Sequence, residues 1–361
     1  MPRSALLLAA ATGVIVAAAP ALGADFSDVF GAGGDMRSGF SEEDWANSDA
    51  GDPLSFELGA RYWYSWGAQS FQVLSSVPSL TESDKTQSVE FHARVNDDST
   101  KFYAKGLAGM SYAMSGDYSG FDAGTLTEGR IAYAGADLGY SWLGNYSSPF
   151  SFGPFAGYMY WNDSPNASSQ TAVNNYTTAT SASDISYDQN TGATTWPGAS
   201  TANNVEINML RLGLSGQARL GPMFDLSGEV AAVPYANIHG VLGSVVEGPT
   251  YSATIPGNVS SIQSSPTTLD GWGYGVAAEA FLGVHPTDHM TLRLGGRAWY
   301  LQGTADATFS RATIGDPSDS DPANPPNYDT APSFTNTNYI TRGNPWSLFR
   351  YGLLAEFTYN F

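Results

Sequence analysis

The final fifteen residues alternate strictly. Phe349, Tyr351, Leu353, Ala355, Phe357, Tyr359 and Phe361 fall on one face of an extended strand, and Arg350, Glu356, Thr358 and Asn360 fall on the other. One face is apolar along its whole length and the other polar, the pattern required of a strand between hydrocarbon and a wet interior. The same period recurs along the chain and predicts ten strands: Leu54–Trp66, Thr86–Val95, Lys101–Ser115, Arg130–Trp142, Phe150–Trp161, Val205–Arg219, Met223–Ala236, Leu269–Val284, His289–Gln302 and Ser347–Phe361. Short links at 96–100, 143–149, 220–222 and 285–288 alternate with longer ones at 66–85, 116–129, 162–204, 237–268 and 303–346. This rhythm predicts an all-β fold, a closed antiparallel up-and-down transmembrane β-barrel of ten strands over 53–361, with short turns in the periplasm and five loops outside. The Ser/Thr/Asn-rich stretch 164–203 and the Pro/Asp-rich stretch 316–330 are expected to be mobile.

Parity assigns the two faces. On the first strand Leu54, Phe56, Leu58, Ala60, Tyr62 and Tyr64 point outward, and Glu57 and Arg61 inward. Collected over all strands, the interior receives the acids Glu57, Glu90, Asp137, Asp225, Glu229, Glu279 and Glu356 and the bases Arg61, Arg94, Lys105, Arg211, Arg293, Arg297 and Arg350, with His92 among them. The two signs nearly cancel. A barrel little wider than eight strands can be filled by such pairs, so a plugged lumen is expected rather than an open channel. Tyr62, Tyr64, Trp66, Tyr158, Tyr160, Trp272, Tyr274 and Tyr300 cluster at the predicted outer ends, and Tyr140, Trp142, Tyr359 and Phe361 at the other, as two interfacial girdles would.

Composition sharpens the compartment. Residues 1–23, with Arg3, an apolar run and a small-residue exit, have the form of a cleaved signal peptide, and no later stretch offers the ~18 apolar residues of a spanning helix. Residues 24–52, carrying Glu42, Glu43 and Asp44, are expected to form an acidic periplasmic segment. There is no Cys, and a formal charge of −19 would repel nucleic acid. A terminal Phe361 after Phe357 and Tyr359 resembles the signal read by the barrel-assembly machinery of the bacterial outer membrane. Outer-membrane lipid and lipopolysaccharide are then the expected neighbours. Oligomeric state is not written in the pattern.

Candidate chemistry is sparse. No cofactor motif is present: no phosphate loop opens a helix and no nucleophile elbow stands out. His285 and His289 occupy a short turn without clustered metal ligands and are expected to be solvated; no metal site is expected. Asp316, Asp319 and Asp321 lie among prolines and read as a solvated acidic loop rather than a calcium loop. His239, at the mouth of the fourth long loop, is the one imidazole that a carboxylate from the second loop, Asp122 or Asp117, could face as partner in general-base catalysis.

The strand count, the loop rhythm and the stretches Gly153–Tyr160, Leu210–Gly216 and Tyr351–Phe361 resemble the omptins, outer-membrane proteases. That family carries paired Asp residues after the third strand and an Asp-x-His motif after the seventh. Here the second motif reads Asn237-Ile238-His239 and the first is reduced to Phe121-Asp122-Ala123 with Asp117 upstream. The resemblance implies the scaffold. The altered motif favours a non-enzymatic barrel serving envelope structure or surface interaction, with an omptin-like endopeptidase as the alternative and a small-solute porin third.

Overall fold

A computed structural model describes residues 53–74, 79–119, 124–167, 176–201, 203–242, 248–287, 289–321, 323 and 327–361. The expected signal peptide and acidic segment lie outside them. Ten long strands form the body: β1 Leu54–Phe71, β2 Leu80–Asp97, β3 Phe102–Ser119, β4 Gly124–Tyr140, β5 Phe150–Ala167, β6 Asn204–Arg219, β7 Phe224–Leu242, β8 Thr267–Val284, β9 Met290–Ile314 and β10 Phe334–Asn360. Each pairs antiparallel with its sequence neighbour, and β10 pairs with both β9 and β1, so the sheet closes on itself. Closure leaves the barrel wall without an open edge.

At the turn ends the observed strands start or stop within two residues of the expected positions. At the opposite ends every strand runs further, β9 to Ile314 and β10 from Phe334. The reason is physical: lipid imposes an apolar outer face only where it touches the wall. Beyond it Ser83, Lys85 and Gln87 face outward as Glu82, Asp84 and Thr86 face inward, so the strand continues while its hydropathy period vanishes. Between these limits the outer wall is apolar all round, with Phe91, Leu138 and Leu294 about two thirds exposed (65%, 69% and 71%).

Parts of the two stretches expected to be mobile carry defined contacts, while 168–175, 202, 322 and 324–326 lie outside the described residues. The described parts of the three longest loops fold together into a platform above the rim. Val259–Gln263 adds to the outer part of β9, pairing Ser261 with Thr313. Ala179, Ile185, Val259, Ile262, Ala312 and Ile314 bury one another beneath Trp196 and Phe334, a second apolar cluster separate from the barrel interior. Asn258 ties three loops: its Nδ2 donates to Gly192 O (2.9 Å) and Asp316 Oδ1 (3.1 Å), and its Oδ1 accepts from Thr194 N (2.9 Å). Low-complexity sequence concealed this, because the contacts join segments far apart in the chain. Asp316 is thus a latch between loops, also accepting from Ser252 Oγ, rather than a solvated acid.

Candidate functional site: a layered interior

From the turn end outward, inward positions at period 2 stack into layers. On one side of the first layer, Arg293 reaches Glu356 (2.7 Å), Glu57 (3.4 Å) and Asp225 (3.5 Å), and His92 Nε2 lies 3.2 Å from Glu57. On the other side, Lys105 and Arg211 grip Asp137 (3.5 and 3.1 Å) and Glu229 (2.5 and 2.7 Å). A cavity of about 60 Å³ separates the two halves. Tyr146, in the turn below, donates to Glu57 Oε2 at 3.2 Å, and burial raises its phenol above the ordinary value.

One layer further, Arg61 meets Glu90 (2.9 Å), Glu279 (3.5 Å) and Glu356, while Arg297 meets Glu279 (2.5 Å) and Glu90 (2.8 Å). These groups are almost fully buried, and ion pairs of this kind hold charge inside a wall only while each carboxylate keeps its base. Above them Trp63, Tyr133, Trp161 and Trp299 fill the cross-section, with centroids 5.0 to 6.2 Å apart, and Arg297 lies 5.0 Å from the Trp63 ring centre. The next layer is ionic again: Arg350 pairs with Asp84 (2.6 Å) and approaches Asp163 (3.8 Å), which accepts from Gln69 Nε2 (2.5 Å). Gly67 permits this pair, because a Cβ there would strike both Asp84 and Arg350. Phe71, Leu80, Tyr118, Val205 and Leu242 cover the top.

The charged residues assigned to the interior by parity occupy this stack. Arg94 differs in its bonding: it is held by Asn96 Oδ1 (2.7 Å) and the rings of Tyr103 and Tyr146, rather than by a carboxylate. His285 corrects the expectation of a solvated turn residue, since its Nε2 lies 2.6 Å from buried Asp225. His289 does sit on the surface, stacked on Tyr359.

Of the expected catalytic set, His239 and Asp117 are among the described residues. Ile238 points into the barrel, so His239 points out, and its Nε2 lies 3.5 Å from Glu206 of β6, with Asp270 its register partner on β8. Asp117 is exposed on β3, across from Ser83 and Thr125, and Asp122 lies outside the described residues. A strand reversal of face by one residue is enough to separate an imidazole from a lumen. Glu82, Asp84, Asp163 and Gln69 were missed because they fall in links between the expected strands. Their inward parity with Glu90 and Arg61 was the available signal.

An apolar hollow of about 670 Å³ lies on the outer wall beside Phe102, Leu138 and Leu212, away from the ionic layers. No family model matches the sequence, and no curated protein matches it. Among solved structures, the outer membrane protease OmpT of Escherichia coli aligns over 86% of this chain and 97% of its own, at 12% identity and a TM-score of 0.54. This chain has the omptin-like β-barrel fold. The translocator domain of the Neisseria meningitidis autotransporter NalP (10% identity, 87% and 90% covered) and the Pseudomonas putida toluene transporter TodX (10%, 86% and 90%) reach TM-scores of 0.34 and 0.25.

Proposed function

We propose that this chain is an exported bacterial outer-membrane barrel that performs no enzymatic step, closed to solutes and carrying a folded platform of loops for envelope structure or surface interaction. The observation that carries the reading is the interior itself, filled by buried ion pairs and an aromatic layer behind an apolar outer wall. Phe357, Tyr359 and Phe361 are exposed on that wall, with Phe361 N donating to Phe56 O (2.9 Å), an arrangement consistent with docking of the last strand by the barrel-assembly machinery during insertion. Lipid and lipopolysaccharide are the partners that the outer wall fits. The outward turn of His239, with Glu206 as its neighbour, speaks against an omptin-type proteolytic centre in this arrangement.

The test combines two measurements on the unmutated protein. In planar bilayers the current stays at the bare-membrane baseline, and in detergent with lipopolysaccharide a broad peptide panel remains intact. Discrete conductance steps would overturn the closed barrel. Cleavage abolished by His239→Ala would overturn the non-enzymatic reading.

A further inference from the structure

We infer that the outer end of the barrel holds a binding site for one small divalent cation, taken through oxygen by Glu82 beneath the apolar cover. Charge counting motivates it. Among the charged groups acting on Glu82 are Asp84, Asp163 and Arg350, so three carboxylates share one guanidinium. In the two lower layers each carboxylate has at least one basic partner. Fully ionised, the three acids would carry two negative charges beyond their one base among the described residues, in a region closed from solvent.

A second, independent observation points to an occupant. Among the described residues Glu82 Oε1 has no hydrogen-bond partner, although Glu82 is only 5% exposed. An oxygen of a buried carboxylate left without a donor is costly unless something positive meets it. Glu82 also lines a void of about 10 Å³, the space of a single water-sized body, whose walls bring the side chains of Gln69, Tyr118 and Asn203 alongside Phe71, Leu80, Val205 and Leu242. Carboxylate, amide and hydroxyl oxygens are the donors that hard cations take, and the void excludes any organic ligand. Asp84 and Asp163 supply the field from the layer beneath. The Glu57, His92 and Glu356 group at the turn end is the tighter trio of potential ligands, but Arg61 and Arg293 already neutralise its acids.

The experiment uses the full protein folded in detergent, stripped with chelator and titrated with terbium. Trp161, two residues from Asp163, is placed to sensitise emission. The expected result is saturable emission at one ion per chain, displaced by calcium, with affinity at least tenfold weaker in Glu82→Gln and unchanged in Asp184→Asn, an exposed loop control. Asp163→Asn serves as the second variant if Glu82→Gln does not fold, and native mass spectrometry of the unmutated protein counts retained calcium. Emission equal in Glu82→Gln and the unmutated protein, or no retained calcium, would overturn the site. The surplus charge would then be met by bound protons.

Discussion

Replacing Arg297 by Met tests the ionic interior most sharply. Arg297 bonds Glu279 through Nε (2.5 Å) and Glu90 through both terminal nitrogens (2.8 and 3.1 Å), between the rings of Trp63 and Trp299. Met roughly preserves volume beside the indoles and removes the charge, leaving Arg61 alone to face Glu90 and Glu279. Breaking a buried pair while its partner stays charged costs about 3–5 kcal/mol. The assay is equilibrium urea unfolding in lipid vesicles, followed by the fluorescence of the clustered tryptophans. Adding Glu90→Gln restores one base to one acid, so the double variant is expected to be more stable than Arg297→Met alone, with a coupling energy of about 1.5–3 kcal/mol. A loss under about 1 kcal/mol for the single variant, or strict additivity in the double, would refute the view that these charges are buried as a mutually dependent set. Neither variant is expected to conduct, because the aromatic layer above remains.

Two further outcomes follow from the platform. Asn258→Ala removes hydrogen bonds to Gly192, Thr194 and Asp316, a local loss of about 1–3 kcal/mol, so limited proteolysis near 188–194 should accelerate while the thermal midpoint of the barrel stays in place. Asp184 accepts from the backbone N–H of Thr180 and Ser181 (2.8 and 3.0 Å), which holds its carboxyl below the usual value. A depressed folded value means the stabilisation is present above the ordinary carboxylate range and lost as pH falls through the folded value. Amide chemical shifts of Thr180 and Ser181 should therefore move together at acidic pH, and Asp184→Asn should abolish that transition.

What could be read from sequence was what lipid enforces. Tyr62 and Tyr64 outward, Glu57 and Arg61 inward, and closure by the last strand all follow from one apolar face per strand. Trp63 was legible in principle, since it shares parity with Arg61, but its apolar character hid its place in the interior. The pairing of Lys105 with Glu229 spans 124 positions and depends on how wide the ring is, which no local pattern states. His285 continues the inward parity of β8 past its last residue, and turn chemistry masked that continuation. The direction of His239 turned on a single-residue question of parity that loop-like sequence around Asn237 left open.

β9 and β10 rise from the turn end into the platform without a connecting linker, broken only by a register shift near Ala305 and Ala307. At roughly 3.4 Å per residue, the 25 residues of β9 make a mast about 85 Å in contour length. Bending of the outer portion on the membrane portion is consequently confined to that shift, where β10 passes through Gly343 at φ 67°. A pull on the platform travels down both strands to the β10–β1 seam, where the backbone bonds from Trp346 to Asn360 are loaded in shear together instead of peeling one by one.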